Sequence, residues 1–319
     1  MPMRKRGNSA QDRARCRLIT VVLLSYRSEH LMDALASVLE QTYPRIQLIL
    51  ADDGTERFDA AGIEQFVRRN QRGNIESFRL LHAAVNTGTV ANYNRALRVA
   101  EGDYIYPLAA DDVYMNRNTL KRWTAYFMKH DVPVMCAYCT NYDEALRRAQ
   151  GRWPRPDHSR LIMSGAPREI YRAMEVQKLL PGCTMARTRR SLETLGYFDE
   201  SYRLLEDYPF MMRILREGAP VGFWPHSAVK RRCGGVSDSR APHPQLVAEM
   251  ERFYEHELFL HSENPEGLRA ALRSIEERRQ AALAVAQQWN EGNFRKRVCI
   301  GLKHPRWLLG RLYHRLIKT

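Results

Sequence analysis

From residue 17 to about residue 239, short apolar runs alternate with segments whose apolar residues recur every three or four positions. That alternation predicts βαβ units around a largely parallel sheet. Residues 19–24 (Ile-Thr-Val-Val-Leu-Leu) form the first buried strand. Over 30–41, Leu31, Leu35, Val38 and Leu39 share one helical face, and Thr42-Tyr43-Pro44 ends the helix, since the residue before a proline is pushed out of the α region. A strand at 46–51 runs straight into Asp52-Asp53-Gly54-Thr55. A helix around 61–69, a short strand at 78–82, a helix at 90–100 and a strand at 104–108 follow, the last ending in Ala109-Ala110-Asp111-Asp112. In an open parallel sheet ligands bind beyond the carboxyl ends of the strands, so the two acidic turns are expected to face one crevice.

After Asp112 the pattern predicts a helix at 118–129, a strand through Cys136, and a loop over 147–167 rich in Arg, Pro and Gly. A loop that long in a compact domain is usually functional or mobile. Residues 169–190 and 204–216 pattern as helices and 221–232 as extended chain; beyond 239 the text turns helical and highly charged, over 245–261 and 266–290. The expected organisation is a flexible basic tail over 1–16, an α/β domain over 17–239, and a helical basic extension over 240–319.

The composition of the 319 residues, 44% hydrophobic, allows one large domain with an appendage. A formal charge of +14 draws the molecule to polyanions without choosing among nucleic acid, anionic lipid and phosphate-bearing ligands. No stretch approaches the roughly 20 apolar residues of a membrane-spanning helix, and no apolar segment of signal-peptide length follows the basic start, which leads us to expect a cytoplasmic protein. Of the six cysteines, only Cys136 and Cys139 are closely spaced; without a second such pair they are expected to pack within a strand rather than hold zinc.

Four features occur together: Val21-Val22-Leu23-Leu24-Ser25-Tyr26 followed by Asp52-Asp53-Gly54-Thr55; Asn86-Thr87-Gly88-Thr89 with Asn94 further on; Asp111-Asp112; and Glu206-Asp207 opening a helix. In order and spacing they resemble the inverting GT-A glycosyltransferases of family 2, over roughly 17–239. The resemblance implies a Rossmann-like α/β fold, a nucleotide-sugar donor, and a divalent metal, Mn2+ or Mg2+, that offsets the charge of the departing diphosphate. Asp112 is then the first metal ligand, with Asp111 on the ribose or behind the metal. Asp53 would accept the N3–H of a uracil-like base, pointing to UDP or dTDP, while Ser25 and Tyr26 line the base pocket. Asn86, Gly88 and Asn94 would lie over the donor, although Asn94 fits equally a helix asparagine that caps a neighbouring loop.

Asp207 takes the place of the family's general base, the carboxylate that removes the proton of the attacking acceptor hydroxyl, with Glu206 beside it to tune or position it. One departure stands out: where relatives often carry Arg-x-His-Gly-Gly-x-Ser, this chain has Arg231-Arg232-Cys233-Gly234-Gly235-Val236-Ser237. A thiolate suits a hard cation poorly, so Arg232 or His226 is expected on the diphosphate instead.

Residues 295–318 carry eight Lys or Arg and no acid, interleaved with Trp307 and leucines. They fit either an amphipathic helix on an anionic membrane surface or a helix packed on the protein with a solvated basic face. The first would suit a saccharide acceptor carried on a lipid at the inner face of a membrane. A nucleic-acid-binding protein would have no use for carboxylates at strand ends, which repel phosphate, and a nucleotidyltransferase should show a Gly-rich basic loop after its first strand, where this chain has Ser25-Tyr26-Arg27-Ser28.

Overall fold

The computed structural model describes residues 16–233 and 243–291. The chain divides after Phe253 into two compact units. In the first, β1 (Ile19–Ser25), α1 (Leu31–Leu39), β2 (Ile46–Asp52), α2 (Ala60–Asn70), β3 (Ile75–His82), α3 (Thr89–Leu97) and β4 (Tyr104–Ala109) alternate as expected, β3 starting three residues earlier than the pattern suggests. There follow β5 (Val113–Tyr114), α4 (Thr119–Phe127), β6 (Val134–Tyr142), β7 (Ala149–Trp153), α5 (Pro156–Met163), α6 (Pro167–Val176), β8 (Ala186–Thr188), α7 (Asp207–Arg216), β9 (Val221–Arg232) and α8 (Pro244–Phe253).

The described strands make one nine-stranded sheet in the order β3-β2-β1-β4-β8-β6-β9-β5, with β7 on β6. β1 lies parallel between β2 and β4, pairing Ser25 with Asp52 and Leu24 with Ala109. That register brings the carboxyl ends of three strands level, so both acidic turns leave from the same edge. β8 is antiparallel to β4 and to β6, while β6 and β9 run parallel. Val21, Leu23, Leu48 and Leu50 on the inner strands are fully buried in one core with α1, and Trp123 of α4 meets Tyr106 edge-on at 4.9 Å and stacks on Trp224 at 5.8 Å between ring centres.

Two expectations change. Residues 147–167 are no structureless loop: Ala149–Trp153 pairs antiparallel with β6 and Pro156–Met163 is helical, with Pro156 starting the helix at its first turn. Residues 169–190 do not form one helix. α6 stops at Val176, Gln177 is extended, Gly182–Thr184 makes a single tight turn after Pro181, and β8 follows. A proline there cannot continue a helix. Cys136 and Cys139 pack inside β6, fully buried, as expected.

The compact unit extends past the compositional break at 239. α8 buries Phe253, whose ring lies 4.8 Å from that of Tyr208, together with Glu249. The second unit holds a wide helical turn at Tyr254–Leu258, a short turn at Phe259–His261 and α9 (Pro265–Glu291), with Arg269 over the Phe259 ring at 4.3 Å. The tail over 1–15 and the basic segment 295–318 lie outside the described residues. Among the described residues no helix is long and apolar enough to cross a membrane.

Candidate active site

β2 ends in two aspartates whose bonds diverge. Asp52, fully buried, closes its own turn: its carboxylate accepts the N–H (2.8 Å) and hydroxyl (2.6 Å) of Thr55 and meets His82 Nδ1 at 2.9 Å. Asp53 reaches across instead. Its Oδ1 accepts the N–H and hydroxyl of Thr87 (2.8 and 2.6 Å), and Oδ2 accepts the N–H of Gly88 at 2.7 Å. A carboxylate offers about four acceptor positions, so Asp53 holds the 86–88 loop while keeping one of them in hand. Ser25 accepts the Asp53 N–H through its carbonyl at 2.9 Å, and Tyr26 stands 43% exposed at the same edge with the Arg27 guanidinium 5.2 Å from its ring centre.

The 86–88 loop is pressed from its other side by Arg203. Arg203 Nη2 donates to the carbonyl of Asn86 at 2.9 Å and to its side-chain oxygen, and the Arg203 carbonyl accepts the Val90 N–H at 3.1 Å. Gly88 has φ +95°, and a Cβ there would lie 2.3 Å from Arg203 Cγ and 2.6 Å from Arg203 O. Only glycine permits that approach. Asn94, expected over the donor, instead spends its side chain on the 198–200 segment: Nδ2 donates to Phe198 O and Glu200 Oε1, both at 2.9 Å, and Oδ1 accepts the Phe198 N–H at 3.1 Å. The capping alternative is the one realised, because α3 turns that buried face toward this segment.

Asp112 is 4% exposed. Burial pushes its carboxyl up to about 7, against the Arg232 N–H that it accepts at 3.1 Å and the nearby charge of Arg231. The Asp111 side chain accepts the Ser28 hydroxyl at 2.5 Å. Arg232, expected on a diphosphate, is turned inward: Nη1 donates to Asp111 O (2.5 Å), Nε to Glu144 O (2.9 Å) and Nη2 to Asp33 Oδ2 (2.6 Å). Its guanidinium clamps the acidic turn from behind. Its reach ends there because β9 inserts it beside β5, where Val113 pairs with Lys230. His226 sits earlier on β9 with its ring 5.2 Å from that of Trp224, and Cys233 Sγ lies 3.7 Å from Gln150 Oε1.

Asp207 begins α7, buried, and meets Lys178 Nζ at 2.5 Å through Oδ2. A Cβ on Gly182 would fall 2.0 Å from that same oxygen, so the 182–184 turn lies directly against the carboxylate. Thr184 of the same turn donates its hydroxyl to Ala137 O at 2.8 Å and accepts the Ala137 N–H at 3.2 Å, which fixes the turn on β6. Glu206 is half-buried; burial and the adjacent Asp207 push its carboxyl up to about 8, with Lys178 pulling the other way. Lys178 and Glu249, which bonds the chain just before Glu206, carry no sequence signal: each depends on contacts between segments far apart in the chain.

A cleft of ≈ 670 Å³ opens beside Ser25, between the 27–32 segment and α2, with Arg27, Arg57, Phe58 and Phe66 among its walls. The lining includes none of Asp53, Asp112 and Asp207.

The sequence profile of glycosyl transferase family 2 matches residues 20–195, from β1 to the turn after β8. The chain belongs to glycosyl transferase family 2. Among its relatives, glycosyltransferase GlyG of Streptococcus pneumoniae is 29% identical over 129 residues, which is 40% of this chain and 41% of GlyG. The match therefore spans about two fifths of that relative. Staphylococcus aureus TarS (residues 1–349), in complex with UDP-GlcNAc, superposes with a TM-score of 0.55 at 17% identity, covering 80% of this chain and 70% of TarS. The mannosyltransferase PcManGT of Pyrobaculum calidifontis, in complex with GDP-Man and Mn2+, gives 0.55 at 16% identity over 93% of this chain and 82% of its own. The fold of this family 2 member is accordingly GT-A, with Asp53 and Asp112 beyond the carboxyl ends of β2 and β4 and Asp207 at the start of α7.

Proposed function

We propose that the protein transfers a sugar from a UDP- or dTDP-linked donor to a hydroxyl of a saccharide, free or carried on a lipid, with inversion at the anomeric carbon. The observation that carries this reading is the pair of buried acids, Asp112 beyond the end of β4 and Asp207 at the start of α7, the second lying against the 182–184 turn. A donor whose diphosphate lay over Asp112 would place its sugar near that turn, with Asp207 on the acceptor side.

Asp112 fits a hard divalent cation: an oxygen ligand, buried, whose burial cost in the ionised form a cation would offset. Among the described residues no three His, Cys, Asp or Glu side chains are arranged to hold a metal. Asp112 would therefore hold the ion, with Asp111 behind it and donor oxygens and water completing the shell, as is usual for Mg2+ at phosphates. The bound cation supplies Lewis-acid neutralisation of the leaving diphosphate. The chain's own residues do the rest: Asp53 and Arg203 fix the loop over the donor, Lys178 steers the Asp207 carboxylate, and Asp207 takes the proton of the acceptor hydroxyl.

Calorimetric titration with UDP, dTDP and GDP, each with Mn2+ and with EDTA, tests the donor half on wild type and Asp112→Ala. Metal-dependent binding of a uridine or thymidine diphosphate, weakened by the substitution, is the expected result. Absence of binding by any of the three overturns the reading. With a donor identified, Asp207→Asn should cut kcat by roughly 10²–10⁴ while binding the nucleotide normally.

A further inference from the structure

Glu249 lies on α8, outside the stretch that matches the family, and is 4% exposed. Its Oε1 accepts the Arg203 N–H at 2.8 Å and Gln245 Nε2 at 2.8 Å; its Oε2 accepts the N–H groups of Leu204 and Leu205 at 2.9 and 3.0 Å. Three successive amides converging on one anion make a concave backbone cradle. Burial works against the ionised form, but the bonds from Gln245 and the three amides outweigh it and hold this carboxyl below its usual range.

The segment held in this way touches both halves of the site. On one side Arg203 grips Asn86, its carbonyl receives the Val90 N–H, and its backbone fills the space that Gly88 leaves open. That loop is in turn bonded to Asp53. On the other side the chain runs from Leu205 straight into Glu206 and Asp207 at the start of α7. A shift of the 203–205 segment therefore moves the donor loop and the carboxylate of Asp207 together.

We infer that Glu249 is a positioning residue that sets the 86–88 loop and the Glu206-Asp207 pair relative to each other by anchoring the segment between them. The inference rests on the roles proposed above for that loop and for Asp207. Ordinary helix stability asks nothing of the kind, since a buried acid on α8 gains only from the amides it binds.

The full-length chain carrying Glu249→Ala is compared with wild type by hydrogen exchange over 86–92 and 203–210, and by donor kinetics, with and without added formate. Faster exchange is expected in both segments. A kcat loss of about 10²-fold is expected with a smaller rise in donor KM, since displacement of a catalytic group by an ångström costs on that order. Formate, small enough to refill the amide cradle, should restore part of both signals, which a general loss of folding would not allow. Glu249→Gln, which keeps the side-chain volume but replaces one acceptor oxygen with a donor, carries the same test if the alanine variant does not fold. Faster exchange confined to 203–210, with 86–92 unmoved, would overturn the inference, as would an unchanged kcat in a folded variant. The exchange result stands even if the chain transfers no sugar, so the two readings fail separately.

Discussion

The carboxylate of Asp207 lies against the backbone of Gly182, so near that a Cβ on that glycine would sit 2.0 Å from Oδ2. The obstruction runs from Oδ2 through Cγ at 2.7 Å to Cβ at 2.9 Å, so Gly182→Ala should turn the Asp207 carboxylate away and shift the start of α7 by a few tenths of an ångström rather than unfold the chain. We expect an activity loss of about 10²-fold with a melting midpoint within a few degrees of wild type. A fully active, folded G182A protein would show that Asp207 needs no fixed place.

Gly88→Ala should behave differently, because here the obstacle is backbone. With φ +95° and Arg203 O only 2.6 Å from the added carbon, both the conformation and the space are wrong for alanine. That backbone conformation, φ +95° with ψ 161°, is open essentially to glycine alone and costs another residue about 1–3 kcal/mol, and for a chain of this size each kcal/mol lowers the midpoint by about 2–4 °C. Nucleotide binding should weaken in parallel, measured by the same calorimetry. Unchanged affinity would place the donor elsewhere than under the 86–88 loop.

The stability of the protein should fall as pH rises from about 5 to 8. Glu206 has its folded carboxyl raised to about 8, above the roughly 4.3 of an unfolded glutamate. In that window the folded chain binds more protons than the unfolded one, so the slope of stability against pH is negative. Glu206→Gln removes this contribution and should raise the melting midpoint relative to wild type more at pH 9 than at pH 5. Equal shifts at both values would mean that Glu206 titrates normally in the folded protein.

Arg232→Met should destabilise the Asp111-Asp112 turn without touching a donor directly. The substitution leaves the carbonyls of Asp111 and Glu144 without their buried donor, at a cost of about 2–3 kcal/mol. Chemical denaturation should report that loss, and metal-dependent nucleotide binding should weaken because Asp112 no longer sits in a braced turn. Normal stability with lost binding would instead assign Arg232 to the diphosphate itself.

Much of this was legible in the residues. The strand-helix alternation through β4 and the acids at the ends of β2 and β4 follow from period and from Asp placement, since a buried strand and an acidic turn each leave a local mark. The misplaced elements lie where local marks conflict with tertiary pairing. Residues 149–153 pattern as an Arg- and Gly-rich loop because β7 is an exposed edge, and a strand with no buried face shows no alternation. Asn94 and Arg232 carry residue types that suit a ligand, but what each bonds is decided by segments 88 to 199 positions away in the chain. Lys178 and Glu249 leave no local mark either, since their partners, Asp207 and the 203–205 amides, belong to other elements.

The seam made by β8 has a consequence for how such a protein can diverge. Among the described residues only Tyr104–Thr188 and Ile105–Arg187 join the parallel half of the sheet to β8, and only Val134–Arg187 and Met135–Ala186 join β8 to the rest. Insertions between β6 and β8, where β7, α5 and α6 lie, leave the register of β1, β2 and β4 untouched. On the proposed function, new acceptor specificities can therefore be tried on one side of the molecule while the nucleotide-handling side is inherited unchanged.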